Sequence, residues 1–281
     1  MNKIALITDT TADLTDEIIK KYNINVLPFR IIYKDKEYKD KIDITPEEVY
    51  NNLDKEVPTS SLPSMKDMEN LFKRLEEEGY THVIAVTLSS GLSGITNALK
   101  LVAENYKNII TYVCDSKSIS LGEGILVEEC GKMIKAGKNF EEIVNKIPLL
   151  MKKVKVFFVV KTLEYLKRGG RIGKISGAIG SLLNIKPIIS IDLEGKYFTY
   201  DKVRGRKQSL SRLVNILKKE FQGKKIRAYI MNGNAYEESI DVYEKIKEID
   251  EVESVQIGGQ ISPVSGVHSG PGLVGVAFME V

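Results

Sequence analysis

The sequence predicts an α/β protein in two parts, an N-terminal parallel-sheet α/β domain over residues 1–154 and a C-terminal α+β domain over residues 155–281. Three observations predict it. Up to Met151, short apolar runs alternate with stretches of helical periodicity, which is the pattern of a parallel sheet with helices packed on it. At Lys155 the character changes, and Val156-Phe157-Phe158-Val159-Val160 forms one continuous apolar strand. Further on, Pro187–Asp192 and Lys196–Val203 flank Glu194-Gly195 as the arms of a hairpin, a sign of antiparallel sheet.

Composition narrows the class of protein. A chain of 281 residues can bury a sizeable core. Its net charge of +3, from 41 basic and 38 acidic residues, gives no general attraction to nucleic acid or to a membrane surface. Two cysteines, Cys114 and Cys130, stand without a CxxC pattern and predict reduced, buried thiols rather than a disulfide scaffold or a zinc site. His82 and His268 are far apart and have no neighbouring cysteine, so no His-based metal cluster is expected. The N-terminus enters an apolar strand at once, without the pattern of a signal peptide, and no apolar run has the length of a membrane span. A cytoplasmic location is the expectation.

Taken in order, Lys3–Thr8 is an apolar strand that closes on Thr8-Asp9-Thr10-Thr11, and Leu14–Lys21 reads as a helix. Asp9 stands where ligands bind in parallel sheets, and it is equally suited to cap the following turn. Val26–Tyr33 reads as extended. Thr45-Pro46-Glu47-Glu48 combines an N-cap Thr, a proline at the first helical position and a capping-box Glu, for a helix to about Leu53. Val57-Pro58-Thr59-Ser60-Ser61-Leu62-Pro63-Ser64 sets three hydroxyl residues between prolines that hold the chain extended, and Ser64 caps a helix with Met68, Leu71, Phe72 and Leu75 on its apolar face. This ribbon is either a linker or a row of donors.

The stretch Tyr80–Asn97 organises the first half. Val83–Val86 suits a strand buried on both faces, and it breaks into Ser89-Ser90-Gly91-Leu92-Ser93-Gly94, where a helix starts. Free N–H groups, a helix dipole and three hydroxyls there suit a carboxylate or phosphate, with no dedicated Lys or Arg. Ile109–Val113 is another strand with a polar exit, and helices follow over Glu123–Ala136 and Phe140–Met151.

In the second half, Leu166-Lys167-Arg168-Gly169-Gly170-Arg171-Ile172-Gly173-Lys174 fails the Walker A pattern, because Arg168 stands where a glycine is required and Ile175 where Ser or Thr is. It is an exposed basic turn or a contact for a partner or an anion. Ile175, Ala178, Ile179, Leu182 and Leu183 repeat at helical spacing, as core or as a pocket wall. A second basic turn, Val203-Arg204-Gly205-Arg206-Lys207, precedes an amphipathic helix with Leu210, Leu213, Val214, Leu217 and Phe221 on one face. Strand, helix and strand follow over Ile226–Met231, Ala235–Lys247 and Val252–Ile257, and Val274–Val281 is the last strand. Between them, Pro263–Gly272 reads as a loop without regular structure, in which His268 alone changes charge near neutral pH.

The serine ribbon, the SSGLSG corner, the LKRGGRIG turn, the VRGRK turn and the VHSGPG loop, in this order after a TDT-type strand exit, resemble the DegV family of fatty-acid-binding proteins, which includes the fatty acid kinase B subunits. The likeness covers essentially the whole chain. It implies a DegV-like fold with a long-chain fatty acid lying between the two domains. By resemblance Ser60, Ser61, Ser93 and His268 fall on the positions that hold the carboxylate, and Arg171, Arg204 and Arg206 fall in the basic motifs that face the partner kinase. Ile95 stands where Thr is usual, which removes one hydroxyl. The implied role is a non-catalytic carrier, without cofactor, that presents the carboxylate to an ATP-binding kinase subunit for acyl phosphate formation in lipid synthesis.

Two other classes compete with this reading. Ser93, His268 and Asp9 can be imagined as a hydrolytic triad on an acyl substrate, but the G-x-S-x-G elbow is broken by Ile95. Nucleic-acid binding through the basic turns lacks interleaved aromatics and net charge.

Overall fold

A computed structural model of the protein describes residues 3–178 and 184–281. Its first part runs β1 (Ile4–Asp9), α1 (Asp16–Lys21), β2 (Ile24–Leu27), β3 (Arg30–Ile32), β4 (Glu37–Lys39), α2 (Pro46–Asn52), β5 (Thr59–Ser61), α3 (Met65–Glu77), β6 (His82–Thr87), α4 (Ile95–Ala103), β7 (Ile110–Asp115), α5 (Leu121–Lys135) and α6 (Phe140–Lys153). Strands β2-β1-β6-β7 form a four-stranded sheet, parallel throughout. Every residue of β6 is buried, as its unbroken apolar run requires of a strand covered on both faces.

Local signals account for the helix starts. Thr45 and Glu48 close a capping box on α2, and the Ser64 hydroxyl accepts the Asp67 N–H at the head of α3. The first helix begins at Asp16 rather than Leu14, because Thr15 is its cap. The extended segment predicted over Val26–Tyr33 is divided. Strand β2 joins the parallel sheet, whereas β3 pairs antiparallel with β4 and β5 in a separate three-stranded sheet. The serine ribbon is therefore a true strand.

The second part runs β8 (Val154–Val159), α7 (Glu164–Arg168), β9 (Ile185–Ile191), β10 (Tyr197–Arg204), α8 (Arg206–Glu220), β11 (Ile226–Gly233), α9 (Tyr236–Lys247), β12 (Val252–Gln260), α10 (Pro263–Ser269) and β13 (Leu273–Glu280). Its six strands are ordered β10-β9-β8-β13-β11-β12, antiparallel except for β11 with β12. Of the helical pattern predicted around Ile175–Leu183, a 3-10 turn covers Gly173–Ala178, and Ile179, Leu182 and Leu183 lie outside the described residues. The segment expected to be an irregular loop around His268 contains α10, whose Ser262 cap accepts the Ser265 N–H and whose first residue is Pro263. Proline at that position is pre-set for a helix.

Alternation along β8 and β13 divides the apolar interior. Phe157, Val159, Val274, Val276 and Phe278 pack with Leu213 and Leu217 of α8, and Val242 of α9. Val156, Phe158, Leu273 and Ala277 point the other way, into the core shared with the first half. That second face carries the site.

Candidate functional site

A space of about 840 Å³, part of it open to solvent, lies between the six-stranded sheet and the first half of the chain. Its walls are mostly apolar, with Phe29, Leu92 and Ile119 from one side and Phe158, Met231 and Ala277 from the other. Polar groups gather where α10, β5 and the corner after β6 converge. Ser60, Ser93, Arg171 and His268 all line this space.

Each of the four is placed by a different element. Ser60 sits in β5 opposite Ile31 of β3. Its Oγ lies 2.7 Å from Nε2 of His268, across 208 residues of sequence. The other imidazole nitrogen, Nδ1, is buried with no hydrogen-bond partner among the described residues. Burial, and secondarily the positive charge of Arg171, lower the His268 pKa to about 4. The imidazole is thus neutral at neutral pH, which corrects the expectation of a residue that titrates there.

Arg171 reaches the same place from the turn after α7. Its Nη1 donates to the Gly169 carbonyl at 2.7 Å and its Nε to the Leu92 carbonyl at 3.4 Å. The resemblance implies a partner-facing surface for Arg171; its side chain also lines both the inner space and the outer cleft. The LKRGGRIG motif has a second use: a Cβ on Gly169 would stand 2.1 Å from His268 Nδ1, so only a glycine leaves room for the ring.

The SSGLSG corner divides its serines. The Ser89 hydroxyl donates to the Gly195 carbonyl at 2.8 Å, where the tip of the β9–β10 hairpin presses on Gly91; a Cβ there would lie 2.4 Å from the Gly195 oxygen. Ser90 gives its N–H to Asp115, and its hydroxyl oxygen accepts from Lys117 Nζ. Among the described residues Ser93 accepts a long contact of 3.4 Å from the Ile95 N–H and no other hydrogen bond, which leaves its hydroxyl hydrogen for the cavity. A second cleft, of about 930 Å³ and open to the outside, is lined by Ser90, Gly94, Gly170 and Lys196 and shares Ser93 and Arg171 with the inner space.

Ser61 is a correction. Successive residues of a strand point to opposite faces, and with Ser60 inward the Ser61 Oγ lies 3.0 Å from Arg30 Nη2 on the other side of the ribbon. Arg206 is another, for its guanidinium is held by Glu238 and by the Gly272 carbonyl, at 2.7 Å, inside the second half. Arg204 is exposed.

The triad imagined for a hydrolase is not assembled. Asp9 accepts from the Thr11 N–H, the Thr11 hydroxyl and the Leu88 N–H at 2.9, 2.6 and 2.9 Å, so it caps the turn after β1. His268 meets Ser60 rather than Ser93, and no carboxylate among the described residues orients it. Among the described residues no cluster of His, Cys, Asp and Glu suits a metal, and both cysteines are free and buried. No helix among them is long and apolar enough to cross a membrane.

The profile of the family described as "Uncharacterised protein, DegV family" matches residues 3–281. The chain belongs to the DegV family. A DegV domain-containing protein of Clostridium acetobutylicum is 62% identical over 280 residues, covering 100% of both chains. Among solved structures, a fatty-acid-binding DegV family protein from Thermus thermophilus superposes with a TM-score of 0.93 at 28% identity, covering 99% of this chain and 100% of that one. A fatty-acid-binding DegV family protein of Streptococcus agalactiae gives 0.91 at 32% identity, with 99% of each chain covered. Bacillus subtilis DegV, also a fatty acid binding protein, gives 0.90 at 29% identity over 100% of both.

Proposed function

We propose that this DegV protein is a carrier that holds a long-chain fatty acid in the apolar space, with the carboxylate at Ser60, Ser93, Arg171 and His268. The observation that carries this is one mostly apolar cavity whose lining also includes the side chains of Ser60, Ser93, Arg171 and His268. Each buried methylene contributes roughly 0.8 kcal/mol, so a long acyl chain supplies most of the affinity. A carboxylate taken out of water must be paired. Arg171 supplies the charge and the Ser93 hydroxyl a donor, while neutral His268 and Ser60 share one hydrogen between them and offer the other outward. Relatives of similar fold that bind fatty acids support the same reading.

The carboxylate end also borders the outer cleft through Ser93 and Arg171. An acid held there is reachable from outside while its tail stays buried. We therefore place this chain as a non-catalytic, cofactor-free subunit that presents the carboxylate to an ATP-binding kinase for acyl phosphate formation in lipid synthesis, with exposed Arg204 on the docking face. Mass spectrometry of an organic extract of the purified protein tests the first part: a stoichiometric long-chain fatty acid is expected, and a neutral lipid in its place would overturn the carboxylate site. For the second part, Arg204→Ala is expected to lower phosphoryl transfer by a partner kinase at unchanged lipid affinity, and unchanged transfer would remove the docking face.

A further inference from the structure

One group of buried acids has no part in the carboxylate site and lies directly behind it. Glu123, in the first turn of α5, is fully buried, as are Thr8, Asp9 and Thr11 at the end of β1. Glu123 Oε1 lies 3.1 Å from the Thr8 hydroxyl and Oε2 lies 3.1 Å from the Thr11 hydroxyl. The same Thr11 oxygen is 2.6 Å from Asp9 Oδ1. A hydroxyl carries one hydrogen, so Thr11 cannot donate to both acids.

The surroundings decide which acid carries the extra proton. Asp9 Oδ1 receives the Thr11 N–H, and Oδ2 receives the Leu88 N–H. These two fixed N–H donors favour the anion of Asp9. Both oxygens of Glu123 face hydroxyls, which accept as readily as they donate. The other charged and titratable groups facing Glu123 are Asp13, which is paired with Lys41 at 3.1 Å, and the Cys114 thiol. No cation among the described residues neutralises it.

We infer that Glu123 is a neutral carboxylic acid that donates to the Thr11 hydroxyl, which donates to the Asp9 carboxylate, which in turn holds the Leu88 N–H. Leu88 is the residue from which the chain leaves β6 for Ser89–Ser93. The proton on Glu123 thereby fixes, from the helix behind, the corner that presents Ser93 to the cavity. Glu123 is a positioning residue, and this role rests on the carrier reading above. Burial and the nearby Asp9 charge both push the Glu123 carboxyl well above the usual range, in agreement with the geometry.

Infrared spectroscopy of the full chain made with isotope-labelled glutamate, together with palmitate calorimetry, tests the inference. At neutral pH the labelled wild type is expected to show a protonated-carboxyl stretch that Glu123→Gln removes. Glu123→Gln keeps an N–H donor toward Thr11 and should bind palmitate within about twofold of wild type, whereas Glu123→Leu, which has no donor, should bind about tenfold more weakly. A labelled wild type showing carboxylate bands alone overturns the inference, and it does so even if the Gln variant fails to fold. Equal affinity of Glu123→Leu and wild type overturns the positioning role. Absence of palmitate binding by wild type would instead sink the carrier reading and leave the spectrum to report on the proton, so the two failures are distinguishable.

Discussion

Two groups of buried polar side chains meet the corner after β6, and they are finished differently. Behind β1, the oxygens of Asp9 and Glu123 each meet a donor or acceptor from Thr8, Thr11 or Leu88. On α10, His268 is matched on one nitrogen only, and Ser93 retains an unspent hydrogen. A buried polar atom left without a partner is costly, and Ser93 and His268 both line the cavity, where a ligand can supply partners. The closed group is scaffold and the open group is receptor.

Opening the closed group should have the largest effect on stability. Asp9→Ala strips the acceptor from the Thr11 and Leu88 N–H groups, and denaturant unfolding is expected to show a loss of about 3 kcal/mol. A loss under about 1 kcal/mol would mean that this group is not scaffold. Next comes crowding of the open group. Gly169→Ala drives a methyl against the His268 ring, and palmitate affinity should fall about tenfold or more with a stability change nearer 1 kcal/mol. Unchanged affinity would show that the ring's position does not matter.

Removing single hydroxyls should have smaller effects. Ser60→Ala and Ser93→Ala are each expected to weaken palmitate binding by about three- to tenfold, while Ser61→Ala, whose Oγ faces Arg30, leaves it within about twofold. Equal effects at Ser60 and Ser61 would break the assignment of faces. The last test is that of pH on the ligand-free protein, read as stability rather than affinity. The folded pKa of His268 is depressed to about 4 from 6.5, so its contribution is complete above about pH 6.5 and is lost as pH falls through about 4. Thermal unfolding of His268→Asn should lack that acid-side loss, and an identical pH profile would place the ring in solvent.

What the sequence made legible was local. Thr45-Pro46 and Ser64 announce their helices because a cap and its partner lie within a turn of each other. The parallel sheet was readable in the burial-matched run of β6, and the hairpin in Glu194-Gly195. Ser61 was misplaced because a strand's alternation is visible before its facing partner is, and Arg30 lies on another strand. The helix around His268 was hidden by its glycine and serine residues, which lower helical propensity although a proline start and tertiary packing suffice to form it. Arg171 meets Leu92 across 79 residues and Thr11 meets Glu123 across 112, and no spacing rule reaches so far. Glu123 in particular looked like any acid in the first turn of a helix.

The account turns on a charged headgroup recognised at the mouth of an apolar cavity, and the most direct test compares palmitate with its methyl ester in the same calorimeter. Tail burial is the same for both, whereas the ester brings no charge to Arg171 and no second anionic oxygen to Ser93. Palmitate is expected to bind at least about tenfold more tightly, the difference corresponding to a charged hydrogen bond. Equal affinity for the two would contradict the site at Ser60, Ser93, Arg171 and His268.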